Sequence, residues 1–183
     1  MHGRDQDPEY MRAHLAEPLG LPNVSYVVPR APGGSWYPGR FFDPLESLEP
    51  RLSDALATLD EAIAACGAPV ERIVLAGFSQ GACIVAEHVA RRPAPYLGVA
   101  LLTGTFLGLP EEHTPVGDLD GLPVFVSAGR QDEWIPLEHI EATARAFSAA
   151  GASVSVALTG NTDHVITDEA VAGVRALLQS APR

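Results

Sequence analysis

The sequence predicts an α/β protein: mostly parallel strands in one sheet, joined by helices that cover both faces. Two observations carry that reading. Short apolar runs of strand length, at 73–76, 97–102, 124–126 and 154–158, alternate with stretches whose apolar residues recur every three or four positions. Such alternation is the pattern of parallel strands linked by right-handed crossovers. The composition agrees, with 46% hydrophobic and 19% charged residues in 183, which suits one domain, expected to span 1–183, with a sizeable core.

Residues 1–8 carry no strand pattern. Met11, Leu15 and Leu19 fall on one side of an expected helix that stops near Gly20. A short strand is expected at 24–28, closed by Pro29. The loop at 31–43 is rich in Gly and Pro and holds Trp36, Tyr37, Phe41 and Phe42, which either line a pocket or plug the core. Pro50 suits the first turn of a helix. Leu52, Leu56, Leu59 and Ile63 give that helix its apolar stripe, and Cys66-Gly67 ends it. The strand at 73–76 leads through Gly77-Phe78-Ser79-Gln80-Gly81 into a helix with Ala82, Cys83, Val85, Ala86, Val89 and Ala90. The strand at 97–102 and a loop at 103–121 come next. The strand at 124–126 opens into the loop 129–134, and Pro136 begins a helix carrying Ile140, Ala144 and Phe147 that stops at Gly151. The last strand, 154–158, and the loop 159–164 precede a final helix with Val171, Val174, Leu177 and Leu178.

The formal net charge of −11 argues against nucleic acid and anionic membrane surfaces as partners. No apolar run is long enough to span a bilayer, so no membrane insertion is expected. The polar, acidic start at 1–7 is not the pattern of a secretory leader. Cys66 and Cys83 read as reduced, buried thiols, and the expected location is the cytoplasm. No histidine and carboxylate set has metal-ligand spacing, so neither a metal nor a cofactor is expected.

Gly-x-Ser-x-Gly between a strand and a helix means a nucleophile elbow. The serine sits on a sharp turn, so the positions two before and two after it must be small for strand and helix to pass closely. The helix beginning at Gln80 offers free N–H groups and partial positive charge to an oxyanion. An alcohol is a poor nucleophile at neutral pH: it needs a base, and the base needs a carboxylate to fix its tautomer. Ser79, Asp132 and His164 occur in the order serine, acid, histidine, each just after a predicted parallel strand. They are the expected catalytic set. His2, His14, His88 and His139 read as surface or packing residues, and His113 lies in a mid-chain loop. The oxyanion N–H groups are expected from Gln80 and from the segment His2-Gly3-Arg4-Asp5.

These motifs resemble the phospholipase/carboxylesterase family of α/β-hydrolases, relatives of the acyl-protein thioesterases. The matching residues are His2-Gly3-Arg4, the loop Ser35-Trp36-Tyr37-Pro38-Gly39-Arg40-Phe41, the elbow, Asp132 with Trp134 and Pro136, and Asp163-His164. The resemblance implies an α/β-hydrolase fold and a cofactor-independent serine esterase that acts on small-molecule ester or thioester substrates. It also implies that the Arg4 N–H joins that of Gln80 in the oxyanion hole. The substrate pocket is expected from Trp36, Tyr37, Phe78 and Trp134.

Two departures from the family pattern stand out. Asp5 occupies a position where the family usually has glycine, adding charge and a less permissive backbone beside a developing anion. The family's strands before the His-Gly pair, one of them central, are apparently lacking, so the domain reads as N-terminally short. The expectation is that the native chain starts upstream of Met1. Otherwise the strands at 24–28 and 73–76 pair directly, or a second chain, as in a homodimer, fills the gap. A non-hydrolytic accessory protein that keeps the elbow and a biosynthetic thioesterase or ester-forming enzyme are the competing functions.

Overall fold

The computed structural model describes residues 1–113, 116–160 and 162–180, so parts of the loops expected at 103–121 and 159–164 lie outside the described residues. Helical elements are α1 (Pro8–Met11), a π-helical stretch (Arg12–Ala16), α2 (Glu17–Leu19), α3 (Leu45–Leu48), α4 (Arg51–Ala65), α5 (Gln80–Arg91), α6 (Leu137–Ala149) and α7 (Asp168–Gln179). Strands β1 (Val74–Phe78), β2 (Gly98–Leu102), β3 (Pro123–Gly129) and β4 (Ser153–Thr159) form a four-stranded sheet in sequential order. All three pairings are parallel, with Gly77 opposite Leu101 and Leu101 opposite Val126.

Alternation along the strands sends side chains to two separate cores. Leu75, Val99, Leu101, Val124 and Val126 join α4, α5 and α6 on one face. Phe78, Ala100, Leu102 and Phe125 join α7 and the 8–19 helical segment on the other. Helix α5 is buried all round, a pattern reserved for helices enclosed by protein. Helix α7 lies close to the sheet because Gly173 carries no Cβ: one there would overlap the Phe125 ring.

Most sequence expectations map onto these elements. Met11, Leu15 and Leu19 are buried, and Gly20 ends the segment in the left-handed region at φ 62°. The segment is not one regular helix. Pro18 has no N–H to offer the His14 carbonyl, and the preceding turns widen into π geometry with the Glu17 N–H on Arg12 O. Trp36, Tyr37 and Phe41 fill the core, whereas Phe42 is exposed. Cys83 is buried, but Cys66 is exposed at the end of α4, contrary to expectation; both thiols are free.

The strand expected at 24–28 is absent. Among the described residues this segment makes no ladder, and its one backbone bond in this stretch runs locally, from Val24 N–H to Leu21 O. Direct pairing with β1 therefore does not occur. An apolar trough of about 860 Å³, lined by Leu15, Val24, Val28, Ile63 and Val74 among others, separates the two. β-Branched sequence alone cannot make a strand without a ladder partner. The free edge of β1 instead meets Met1, whose amino group donates to Ala76 O (2.7 Å) and whose carbonyl accepts from the Phe78 N–H (3.0 Å). No helix among the described residues is long and apolar enough to cross a membrane.

Candidate active site

β1 ends at Phe78 and α5 starts at Gln80, so Ser79 alone makes the reversal. Its backbone is left-handed (φ 51°, ψ −122°), a conformation that costs a non-glycine residue about 1–3 kcal/mol. The flanking glycines permit it. A Cβ on Gly77 would overlap the Gly81 backbone, and one on Gly81 would overlap the backbone of Met1 and His2.

Ser79 stands at the N-cap of α5, where a hydroxyl ordinarily accepts a first-turn N–H. Here it makes no such bond. Its Oγ lies 2.7 Å from His164 Nε2, while its carbonyl accepts the N–H groups of Ala82 (2.9 Å) and Cys83 (3.1 Å). The Gln80 N–H, with no turn before it, finds no acceptor among the described residues.

Asp132 and His164 follow β3 and β4 at the same carboxyl edge of the sheet. His164 Nδ1 lies 2.7 Å from Asp132 Oδ2. Asp132 Oδ1 accepts the N–H groups of Trp134 (2.8 Å) and Ile135 (3.0 Å). An ionised carboxylate only accepts, so it fixes the proton on Nδ1 and leaves the Nε2 lone pair facing the Ser79 hydroxyl. Burial pushes the Asp132 carboxyl up, but the bond from His164 and the backbone N–H groups outweigh it, and the net direction is below the ordinary value. The Asp132 side chain is 1% exposed and that of His164 18%, so the carboxylate is sealed and the imidazole reachable. The Phe78 ring lies 5.2 Å from the imidazole and the Trp134 ring 6.2 Å.

The first residues close the other side. His2 is fully buried; its Nε2 accepts the Ala31 N–H (3.0 Å), so Nδ1 carries the proton and donates to Gly3 O (2.7 Å). Gly3 N–H donates to Gln6 Oε1 (2.9 Å), and a Cβ on Gly3 would sit 3.2 Å from Ser79 Cβ. The Arg4 N–H has no acceptor among the described residues. Asp5 is in the left-handed region at φ 58°, and its N–H donates to Gly34 O (2.8 Å).

The structure thus brings Ser79, Asp132 and His164 together and sets the Arg4 and Gln80 residues beside them. The expected pocket residues divide. Trp36 is 1% exposed, its indole N–H held by His2 O (2.8 Å); Tyr37 is 3% exposed and Phe78 0%. These three present almost no surface to solvent: Trp36 and Tyr37 join the core around α4 to α6, and Phe78, at the end of β1, joins the core around α7. Trp134, 71% exposed, is the one that faces solvent. The other histidines lie apart: His88 bonds Tyr96 Oη (3.0 Å), His14 stacks on Tyr10, and His139 meets Phe41 edge-on. Sequence reasoning missed the side chains of His2 and Gln80. The signal available for Gln80 was a polar side chain heading the small and apolar run 81–86, since a buried amide needs partners. Among the described residues no three His, Cys, Asp or Glu side chains cluster as a metal site.

A family model described as Phospholipase/Carboxylesterase matches residues 1–181. Acyl-protein thioesterase 1 of Eremothecium gossypii is 36% identical over 83 residues, a match that spans 45% of this chain and 35% of that protein's length. A crystal structure of a phospholipase/carboxylesterase from Dyadobacter fermentans superposes with a TM-score of 0.82 at 29% identity, over 98% of this chain and 87% of that one. A carboxylesterase from Mesorhizobium loti shares the fold, with a TM-score of 0.75 at 23% identity, over 99% and 87% of the respective chains.

Proposed function

This chain belongs to the phospholipase/carboxylesterase family of α/β-hydrolases, and from that premise we propose that it is a serine hydrolase that cleaves carboxylic ester or thioester bonds through an acyl-enzyme on Ser79. The observation that carries the reading is the unbroken line from Asp132 Oδ2 to His164 Nδ1 (2.7 Å) and from His164 Nε2 to Ser79 Oγ (2.7 Å). Such a line supports proton transfer from the hydroxyl to the imidazole. Ser79 Oγ attacks the acyl carbon as His164 Nε2 takes its proton. The carbonyl oxygen becomes an oxyanion held by the Arg4 and Gln80 backbone N–H groups. The carbon–oxygen or carbon–sulfur bond then breaks, and His164 returns the proton to the departing alcohol or thiol. Water, deprotonated by His164, attacks the acyl-enzyme; the acid leaves and Ser79 regains its proton.

Trp134, exposed beside His164, supplies an apolar wall for a small or medium acyl or alcohol group. Two free thiols support a cytoplasmic setting, and the net charge of −11 weighs against nucleic acid as a partner. The test is hydrolysis of p-nitrophenyl acetate and butyrate by wild type and Ser79→Ala. Turnover in wild type with none above background in the variant is expected; equal rates would overturn the reading. A fluorophosphonate that failed to label Ser79 in folded protein would favour an accessory role instead.

A further inference from the structure

The 31–39 loop touches no reacting atom in this reading, yet its polar bonds run to the two short segments that carry the oxyanion N–H groups. On the elbow side, Gln80 is a buried amide at the head of α5. Its Oε1 accepts the Trp36 N–H (2.8 Å), and its Nε2 donates to Tyr37 O (2.7 Å) and Ser35 Oγ (3.1 Å). The neighbours fix the amide's orientation: a flip would set NH₂ against the Trp36 N–H and oxygen against the Tyr37 carbonyl. On the N-terminal side, the Arg4 guanidinium donates to Tyr37 O (3.3 Å) and to Gly39 O. The Asp5 N–H donates to Gly34 O (2.8 Å), Trp36 Nε1 to His2 O (2.8 Å), and the Ala31 N–H to His2 Nε2 (3.0 Å). Arg51, at the start of α4, anchors the loop from behind through Pro32 O (2.9 Å) and Ser35 O (2.5 Å).

Arg4 and Gln80 therefore meet at one acceptor, the Tyr37 carbonyl, which also takes the Ser35 hydroxyl (2.8 Å). The segments they sit on also meet at Met1, where Gly81 packs against the Met1–His2 backbone, and where Gly3 approaches Ser79, but these contacts carry no side-chain hydrogen bond among the described residues. An oxyanion hole works only if both donors point at one spot, and a misplacement of about 1 Å costs roughly 10²-fold. We propose that the 31–39 loop, through the Tyr37 carbonyl, sets the spacing of the Arg4 and Gln80 backbone N–H groups, so that the Gln80 side chain and the Arg4 guanidinium are positioning groups for the oxyanion hole. This rests on the serine-hydrolase reading above and deepens it.

The experiment compares Gln80→Met, Arg4→Met, Arg4→Lys and the Gln80→Met/Arg4→Met double variant with wild type. It uses p-nitrophenyl butyrate turnover and inhibition by a trifluoromethyl ketone, which forms an oxyanionic adduct on serine. Gln80→Met keeps the side chain's length and every backbone N–H while removing its hydrogen bonds. Its kcat is expected to fall about 10- to 100-fold, with KM within about twofold and ketone affinity falling in step with kcat. Arg4→Met loses less, because its guanidinium is more exposed, and Arg4→Lys recovers most of that loss. The double variant loses less than the product of the two, because both act on one carbonyl. If Gln80→Met retained wild-type kcat and ketone affinity, or only its Tm fell, the proposal would be overturned. Should that variant not fold, KM-based or absent effects in Arg4→Met, or no recovery in Arg4→Lys, would overturn it equally. Wild type lacking Ser79-dependent turnover would sink the hydrolase reading and this inference together, whereas turnover that survives Gln80→Met and Arg4→Met unchanged sinks the inference alone.

Discussion

Helices α5 and α7 both begin at a hydroxyl residue on the N-cap, and the two hydroxyls are put to opposite uses. Thr167 has extended backbone (φ −90°, ψ 167°), and its side chain accepts the Ala170 N–H (3.2 Å). That is the stabilising arrangement, worth about 1 kcal/mol. Ser79 has left-handed backbone and leaves its helix uncapped, with Oγ turned to His164 Nε2. The elbow forgoes the cap and carries backbone strain besides, of about 1–3 kcal/mol. What it gains is a free first-turn N–H at the positive end of a buried helix, next to an oxygen hydrogen-bonded to an imidazole. The same local motif thus serves stability in one place and presents a reactive group in the other, and the surrounding sheet edge decides which.

The contrast breaks most visibly in activity. Ser79→Ala is expected to lower kcat by about 10⁶-fold, while Thr167→Ala leaves kcat/KM within about twofold. Comparable losses in ester hydrolysis would show that the two caps do not differ as argued. Asp132→Asn comes next, at roughly 10⁴-fold in kcat, because an amide no longer dictates the proton on His164 Nδ1. Asp132 also leaves a thermodynamic mark. Its folded pKa is depressed below the ordinary 3.8, so its ionised form stabilises the fold above that pH, and the contribution fades as pH falls further toward the folded value. Urea denaturation of wild type and Asp132→Asn should therefore converge below pH 3.8; a stability gap that stays constant from neutral pH down to 3 would contradict the hydrogen-bonded, ionised Asp132.

Smaller effects sharpen the other half of the comparison. Thr167→Ala should cost about 1 kcal/mol, or roughly 2–4 °C in Tm for a chain of this size. An unchanged Tm would remove the cap from the account. Asp5→Gly should be neutral to stabilising by at most about 1 kcal/mol, since glycine adopts φ 58° without strain but orders a freer unfolded chain. A clear fall in Tm would mean that the Asp5 side chain holds the turn.

Much of this was legible in the linear pattern. The strands at 73–76, 97–102, 124–126 and 154–158 became β1 to β4 with boundaries shifted by up to three residues, because strand-length apolar runs bounded by turn residues suit a parallel sheet, buried at β2 and β3 and more exposed at the β4 edge. The elbow was legible because its glycines are demanded by overlaps that any side chain would create. The segment 24–28 misled because β-branched content reports a side-chain preference, whereas a strand exists only when another backbone supplies the ladder. Trp36 and Tyr37 were ambiguous because a run of aromatics states that apolar surface must be covered, without saying whether core or ligand covers it.

From residue 45 onward, the order of apolar runs and turn residues determined, unaided, which backbone segments become the four strands and the helices between them and which three loops reach one edge of the sheet, since periodicity and local sterics act within a few residues. Distances, tautomers and amide orientations were decided only in three dimensions. His2 and Gln80 acquire partners that lie 29 and 43–45 positions away in the chain, and buried polar groups are defined by what they face rather than by what precedes them.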